Sequence, residues 1–194
     1  MNKYNYFKQG IDRDVDKVYL KIQNTFGISF VPNFFKLIAN NKNILNGIWT
    51  AYEKILAGGM IPLHIKEVIF LYTALEKGCN YCSSTHLAVC DMLKVNSVNI
   101  DGIKNDIELV TPTELKLILK LTKNIINYTN DTSEGNEIHE LIEIGLSKDE
   151  ISEILCMIHL ADTAVSLALS SGLDDIENEI SSYLTEKSLA TGLK

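Results

Sequence analysis

Apolar residues recur along this chain at the three-and-four spacing of helices that bury one face, and no alternating pattern of useful length argues for a strand. A first helix is predicted from about Asp14 to Phe26, stopped by Gly27. Pro32 opens a short one at Asn33-Phe34-Phe35-Lys36-Leu37-Ile38. Pro62 opens another in which Leu63, Ile65, Val68, Ile69, Leu71 and Tyr72 wrap almost all the way round, the mark of a buried helix. Gly58-Gly59 ends the helix that carries Trp49. Thr111-Pro112 followed by Glu114 reads as a capping box with proline at the first helical position, leading into Leu115, Ile118, Leu119, Leu121, Thr122, Ile125 and Ile126. Ser147 and Glu150 form a second box that opens Ile151 to Ala168, with Gly172 as the stop. The polar run from Asn130 to Asn136 reads as a loop. These elements predict an all-α fold.

Composition narrows the field. The length, 194 residues with 46% hydrophobic and 22% charged, suits one globular domain over 1–194 that needs no disulfide staples. The net charge of −7 disfavours nucleic acid and anionic membrane as partners. The apolar stretch from Ile151 to Gly172 contains Glu153, His159 and Asp162, too costly for a lipid-facing span, so no membrane association is expected. Residues Met1 to Tyr6 hold no apolar run of the secretory kind, and Asn127-Tyr128-Thr129 then has no meaning as a glycosylation site. The expectation is a reduced, cytoplasmic protein.

The chemistry concentrates in one segment, Cys79-Asn80-Tyr81-Cys82-Ser83-Ser84-Thr85-His86, with Glu67 one helix earlier. If Cys79 to Lys94 is helical, Cys79, Cys82 and His86 share a stripe about 60° wide, because residues advance by about 100° each. Cys82 and His86 then stand one above the other as an i, i+4 pair. Gly78 is a natural break that puts both cysteines in the first turn, where free N–H groups and the helix dipole favour thiolate. His86 can take the proton of Cys82 or stabilise its thiolate. Two cysteines at this spacing can also close a disulfide, so an oxidised first sulfur has a resolving partner. The same Cys79, Cys82, His86 and Glu67 supply four zinc ligands on paper. Structural zinc sites usually pair two such knuckles, however, and this sequence has one.

Glu-x11-Cys-x-x-Cys-x-x-x-His on an all-α chain resembles the alkylhydroperoxidase D-like (AhpD-like) proteins of the carboxymuconolactone decarboxylase superfamily. The segments around Leu63 to Ile69, Ala74 to His86 and Leu146 to Ile151 fit that pattern, and Pro32-Asn33-Phe34-Phe35 with the Trp49 helix resembles its peroxidase-related subgroup. The resemblance covers about 31–168, with the N-terminal helix and a C-terminal helical tail flanking that core. It implies an AhpD-like helical bundle and a thiol-dependent hydroperoxidase or disulfide oxidoreductase. Cys82 would be the peroxidatic cysteine and Cys79 the resolving one, cycling through a redox-active Cys79–Cys82 disulfide with no further cofactor. His86 would relay the proton, and Glu67 would orient His86. The family's second histidine is replaced by Tyr81, a phenol able to donate a hydrogen bond to a peroxide oxygen. A small hydroperoxide, a lipoyl or thioredoxin-like reductant and a homo-oligomer, trimer or hexamer, are implied as partners. The superfamily's lactone decarboxylases lack the cysteine pair, so that activity is an alternative, as is a zinc-stabilised helical binding module.

The remaining polar and aromatic residues are assigned to structure. His64 and His139 are expected at the surface. His159 and Asp162, three apart in an apolar helix, are expected to form a structural pair or part of a subunit interface. Cys90 and Cys156 read as packed apolar cysteines, and Trp49, Phe34 and Phe35 as core or interface, with the wall of a substrate pocket as the lesser alternative.

Overall fold

The computed structural model describes residues 6–127 and 136–191, with side chains up to 186. Most of the predicted loop at 130–136 lies outside these residues. Ten α-helices and no strand make up the described chain: α1 Arg13–Phe26, α2 Asn33–Ile38, α3 Lys42–Ala51, α4 Leu63–Glu76, α5 Asn80–Met92, α6 Ser97–Asn105, α7 Thr113–Ile126, α8 Glu137–Glu143, α9 Lys148–Ser171 and α10 Asn178–Thr191. The all-α expectation holds.

The near-continuous apolar wrap after Pro62 has a direct cause. Helix α4 packs against α5, α7 and α9, so every residue from Lys66 to Ala74 is buried. Ile69, Phe70 and Ala74 enter a large core shared with α1, α2, α3 and α9. Val68, Leu71 and Tyr72 enter a second, smaller core with Cys90, Ile103, Val110, Leu115 and Leu119. Burying Phe70, Ile69 or Leu71 contributes about 1.5–3 kcal/mol each. By contrast α1 buries Val15, Val18, Tyr19 and Ile22 along one stripe and presents Asp14, Lys17 and Lys21 to solvent.

Helix boundaries follow the local signals where nothing distant competes. Asp12 caps α1 by accepting the N–H of Asp14 and Val15, and Gly27 closes it in the left-handed conformation, φ 67°. The Ser147–Glu150 capping box forms in full. The Thr111 box does not. Thr111 N–H and Asn99 Oδ1 bond at 3.0 Å, Asn99 Nδ2 returns a bond to the Thr111 carbonyl at 2.6 Å, and α7 starts only at Thr113 with no side-chain cap. The side-chain amide of Asn99, on α6, has taken the threonine that the helix needed. The Trp49 helix likewise runs beyond Ala51 through one π-helical turn, Tyr52–Leu56, before Gly58.

Helix α9 is long and apolar enough to cross a membrane by length and composition alone. Its stripe of Ile151, Ile154, Met157, Ile158, Ala161, Val165 and Ala168 is buried in the bundle instead. Two charges in its apolar stretch are paired within the protein: Glu153 with Lys66, and Asp162 with Lys77. Two expectations for this helix are corrected here. His159 is exposed and makes no pair with Asp162, whose partner is Lys77 on another element. Cys156 is exposed rather than packed, because it falls between buried positions 154 and 157–158; Cys90 is buried as expected. His64 and His139 are exposed, and Trp49, Phe34 and Phe35 are core.

Candidate active site

Helices α4 and α5 form the site between them. Cys79 is the N-cap of α5, with extended backbone (φ −85°, ψ 97°), so the helix begins one residue later than the spacing suggested. Its Sγ accepts the backbone N–H of Cys82 at 3.3 Å, which aims a helix N-terminal donor at the Cys79 sulfur. The two sulfurs are joined as a disulfide, with Cα atoms 5.4 Å apart. Both cysteines are buried.

One turn along, the His86 Nδ1 meets Glu67 Oε2 at 2.7 Å. Glu67 is only 4% exposed, and the hydrogen-bonded pair lies between α4 and α5. The Phe70 ring stacks on His86 with centroids 3.8 Å apart and planes 13° from parallel, so the imidazole is gripped on its face as well as at one nitrogen. With Nδ1–H donated to the carboxylate, the lone pair resides on Nε2, the nitrogen available for proton exchange. Phe70 is in turn the last of a run of rings: Phe35 and Tyr52 are 5.1 Å apart and Tyr52 and Phe70 6.0 Å. The π turn places Tyr52 in this run. Burial, then the charge of Glu67, pushes the phenol of Tyr52 and the thiol of Cys90 up, so Cys90 stays protonated at neutral pH.

Tyr81 is engaged elsewhere than expected. Its hydroxyl donates to Glu177 Oε1 at 2.8 Å and accepts the N–H of Phe34 at 3.2 Å. The proton expected for a peroxide oxygen is therefore committed to a carboxylate. Burial, reinforced by the charge of Glu177, holds the phenol well above its ordinary range. The zinc site, the alternative use of the same four residues, is not assembled in this arrangement. Glu67 bonds to His86, each cysteine bonds to the other, and among the described residues no group of three or more such side chains is arranged to hold a metal ion.

Three residues of this region were not predicted: Lys66, Glu153 and Glu177. Lys66, fully buried beside Glu67, bonds Glu153 Oε1 at 2.5 Å and the Gly58 carbonyl. The signal was present as one lysine in the apolar α4 and one glutamate in the apolar α9. Glu153 also accepts the N–H of Met60 at 2.7 Å and of Ile61 at 3.1 Å. Gly59, φ 91°, is required there, since a Cβ would collide with that carboxylate. Glu177, in the irregular segment before α10, gave no local signal at all.

The bundle, with a Cys-x-x-Cys opening a helix beside a buried Glu–His pair, defines a helical protein of the AhpD-like fold. The AhpD core of an uncharacterized peroxidase-related protein from Ralstonia eutropha JMP134 aligns with a TM-score of 0.77 at 17% identity, over 92% of this chain and 93% of that one. An uncharacterized peroxidase-related protein from Silicibacter sp. TM1040 aligns with a TM-score of 0.73 at 16% identity, over 86% and 87%. The debrominase Bmp8, in complex with 2,3,4-tribromopyrrole, aligns at 0.76 and 16%, over 93% and 95%. The sequence matches no protein-family model and no curated protein.

Proposed function

We propose that this protein is a thiol-dependent peroxidase or disulfide oxidoreductase whose working parts are Cys82, Cys79, His86 and Glu67. The observation that carries the reading is the Cys79–Cys82 disulfide at the head of the helix whose next turn presents His86 on Glu67. In the reduced enzyme His86 Nε2 takes the Cys82 proton, and the thiolate attacks the distal oxygen of a small hydroperoxide. The O–O bond breaks, the proton passes to the leaving alkoxide, and Cys82 becomes a sulfenic acid. Cys79 attacks that sulfur, releasing water and closing the disulfide. A dithiol reductant, lipoyl or thioredoxin-like, returns the pair to thiols. Glu67 keeps the imidazole in the tautomer this cycle needs. Tyr81 has no part in peroxide contact in this scheme.

The reading extends to a cytoplasmic homo-oligomer, a trimer or hexamer. Exposed Met92, Leu93, Val98 and Leu109 supply apolar surface for assembly, and light scattering measures the state directly. The fold relative that acts on a bromopyrrole suggests a second substrate class. Two thiols and an aryl bromide give the disulfide, the debrominated ring and HBr, a two-electron reduction by the same pair. The test is consumption of hydroperoxide and of bromopyrrole by reduced protein, with lipoyl dithiol or thioredoxin as the electron source. Cys82→Ser is expected to lose turnover entirely, and Cys79→Ser to retain a single turnover with a trapped sulfenic acid. Full turnover by both variants contradicts the reading.

A further inference from the structure

The C-terminal segment is fastened to the redox helix at both ends of that helix. At the far end, Tyr183 Oη donates to Asp91 Oδ2 at 2.5 Å. At the near end Glu177, 4% exposed, reaches Tyr81, which lies between the two cysteines. Glu177 Oε1 accepts both the Tyr81 hydroxyl and the backbone N–H of Asn33, the first residue of α2. The Asn33 side chain returns a bond to the Asp175 carbonyl at 2.8 Å, and Phe34 N–H reaches the Tyr81 oxygen. Three elements distant in sequence thus converge on one phenol in the first turn of α5. The second carboxylate oxygen, Oε2, is buried with no hydrogen-bond partner. A group left in that condition costs stability, so its place here calls for a return of another kind.

We propose that Glu177 is a positioning residue for the Cys79–Cys82 pair, acting through Tyr81: the carboxyl fixes the phenol, and the phenol fixes the turn that holds the two sulfurs within bonding reach. The inference rests on the proposed redox cycle. A turn clamped on the residue between two thiols keeps each sulfur at high effective concentration to the other. Releasing it lets the reduced pair separate, and the disulfide becomes easier to reduce. Burial holds the Glu177 carboxyl above its usual range, against the pull of its donors, consistent with a side chain kept for its contacts rather than for favourable solvation.

The test is the equilibrium between disulfide and dithiol in glutathione buffers, read by trapping free thiols and counting them by mass. Tyr81→Phe and Glu177→Ala each remove the same hydrogen bond and are expected to favour the dithiol by about tenfold, the scale of one charge-assisted hydrogen bond. The double variant should go no further than either single one. Glu177→Gln retains the accepting oxygen and should return the equilibrium to within about twofold of the wild type. Val15→Ala, a cavity on α1, should lower stability and leave the equilibrium unmoved. Single variants that match the wild type overturn the proposal, as does Glu177→Gln behaving like Glu177→Ala, or Val15→Ala shifting the ratio equally. A wild-type pair that never exchanges with glutathione overturns the redox cycle itself and this proposal with it.

Discussion

Lys66 and Glu67 leave α4 one residue apart, and each buried side chain meets a part-buried partner on another helix, but the two pairs are made differently. On one side Lys66 meets Glu153, whose carboxylate also accepts the N–H of Met60 and Ile61, while the lysine serves the Gly58 carbonyl. Several donors converge on the acid. On the other side Glu67 holds one nitrogen of an imidazole that can gain or lose a proton, and Phe70 holds its face. A pair that saturates its partners with fixed charges pins a loop. A pair that orients a titratable ring and leaves one nitrogen for exchange can do chemistry. Adjacent positions on one helix therefore serve architecture and reaction separately.

Substitution should separate them in the same way. The largest effect is expected from His86→Ala, which should slow peroxide turnover by about 10²–10⁴, the range for a lost general base, and move the rate of cysteine alkylation to higher pH. Loss of the Glu67 partner also costs stability, so the thermal midpoint should fall, but turnover should fall further. Lys66→Met should do the reverse, costing about 3–5 kcal/mol in urea unfolding because Glu153 is left buried without its cation. Pairing Lys66→Met with Glu153→Leu should recover much of that loss. Equal damage to turnover and stability from both single variants would dissolve the distinction.

Acid titration gives a smaller effect whose sign is fixed. Burial pushes the Glu153 carboxyl up, but the bonds from Lys66, Met60 and Ile61 outweigh it and hold the group below its ordinary range. A folded-state value below the unfolded one means stabilisation present above about pH 4.3, the unfolded glutamate value, and lost as pH falls through the folded value. Glu177 is held above its ordinary range, so its ionised form weakens the fold at neutral pH, and that penalty is withdrawn as pH falls through the raised value toward the unfolded one. Urea unfolding at pH 7 should find Glu153→Gln less stable than wild type and Glu177→Gln more stable; the Glu177 difference should shrink as pH falls toward about 4.3, and the Glu153 difference only below it. The smallest effect concerns the two free cysteines: in folded protein an alkylating reagent should label Cys156 and spare Cys90.

Features set by neighbours in sequence were legible, and those set by neighbours in space were not. Gly27, Pro32, Pro62, Ser147 with Glu150, and Gly172 marked their helix ends because each acts within one turn. The Thr111 box had the right letters and lost its threonine to Asn99, twelve residues back. Cys79, Cys82 and His86 were found together because one helix start carries them all, and Glu67 because its distance fits a resemblance. Tyr81 and Glu177 are 96 residues apart, and nothing near a lone glutamate in an irregular segment reveals what it will meet. Cys156 could have been placed: it falls off the stripe that Ile151, Ile154, Met157 and Ile158 define.

The central claim is that Cys79 and Cys82 are a working redox pair. Native mass spectrometry of protein purified without chelator, fully reduced and then given sub-stoichiometric hydroperoxide, tests it most directly. The account predicts metal-free subunits that lose two hydrogens for each peroxide consumed, mapped to a Cys79–Cys82 disulfide. Bound zinc with both cysteines still as thiols and the peroxide unconsumed would contradict it.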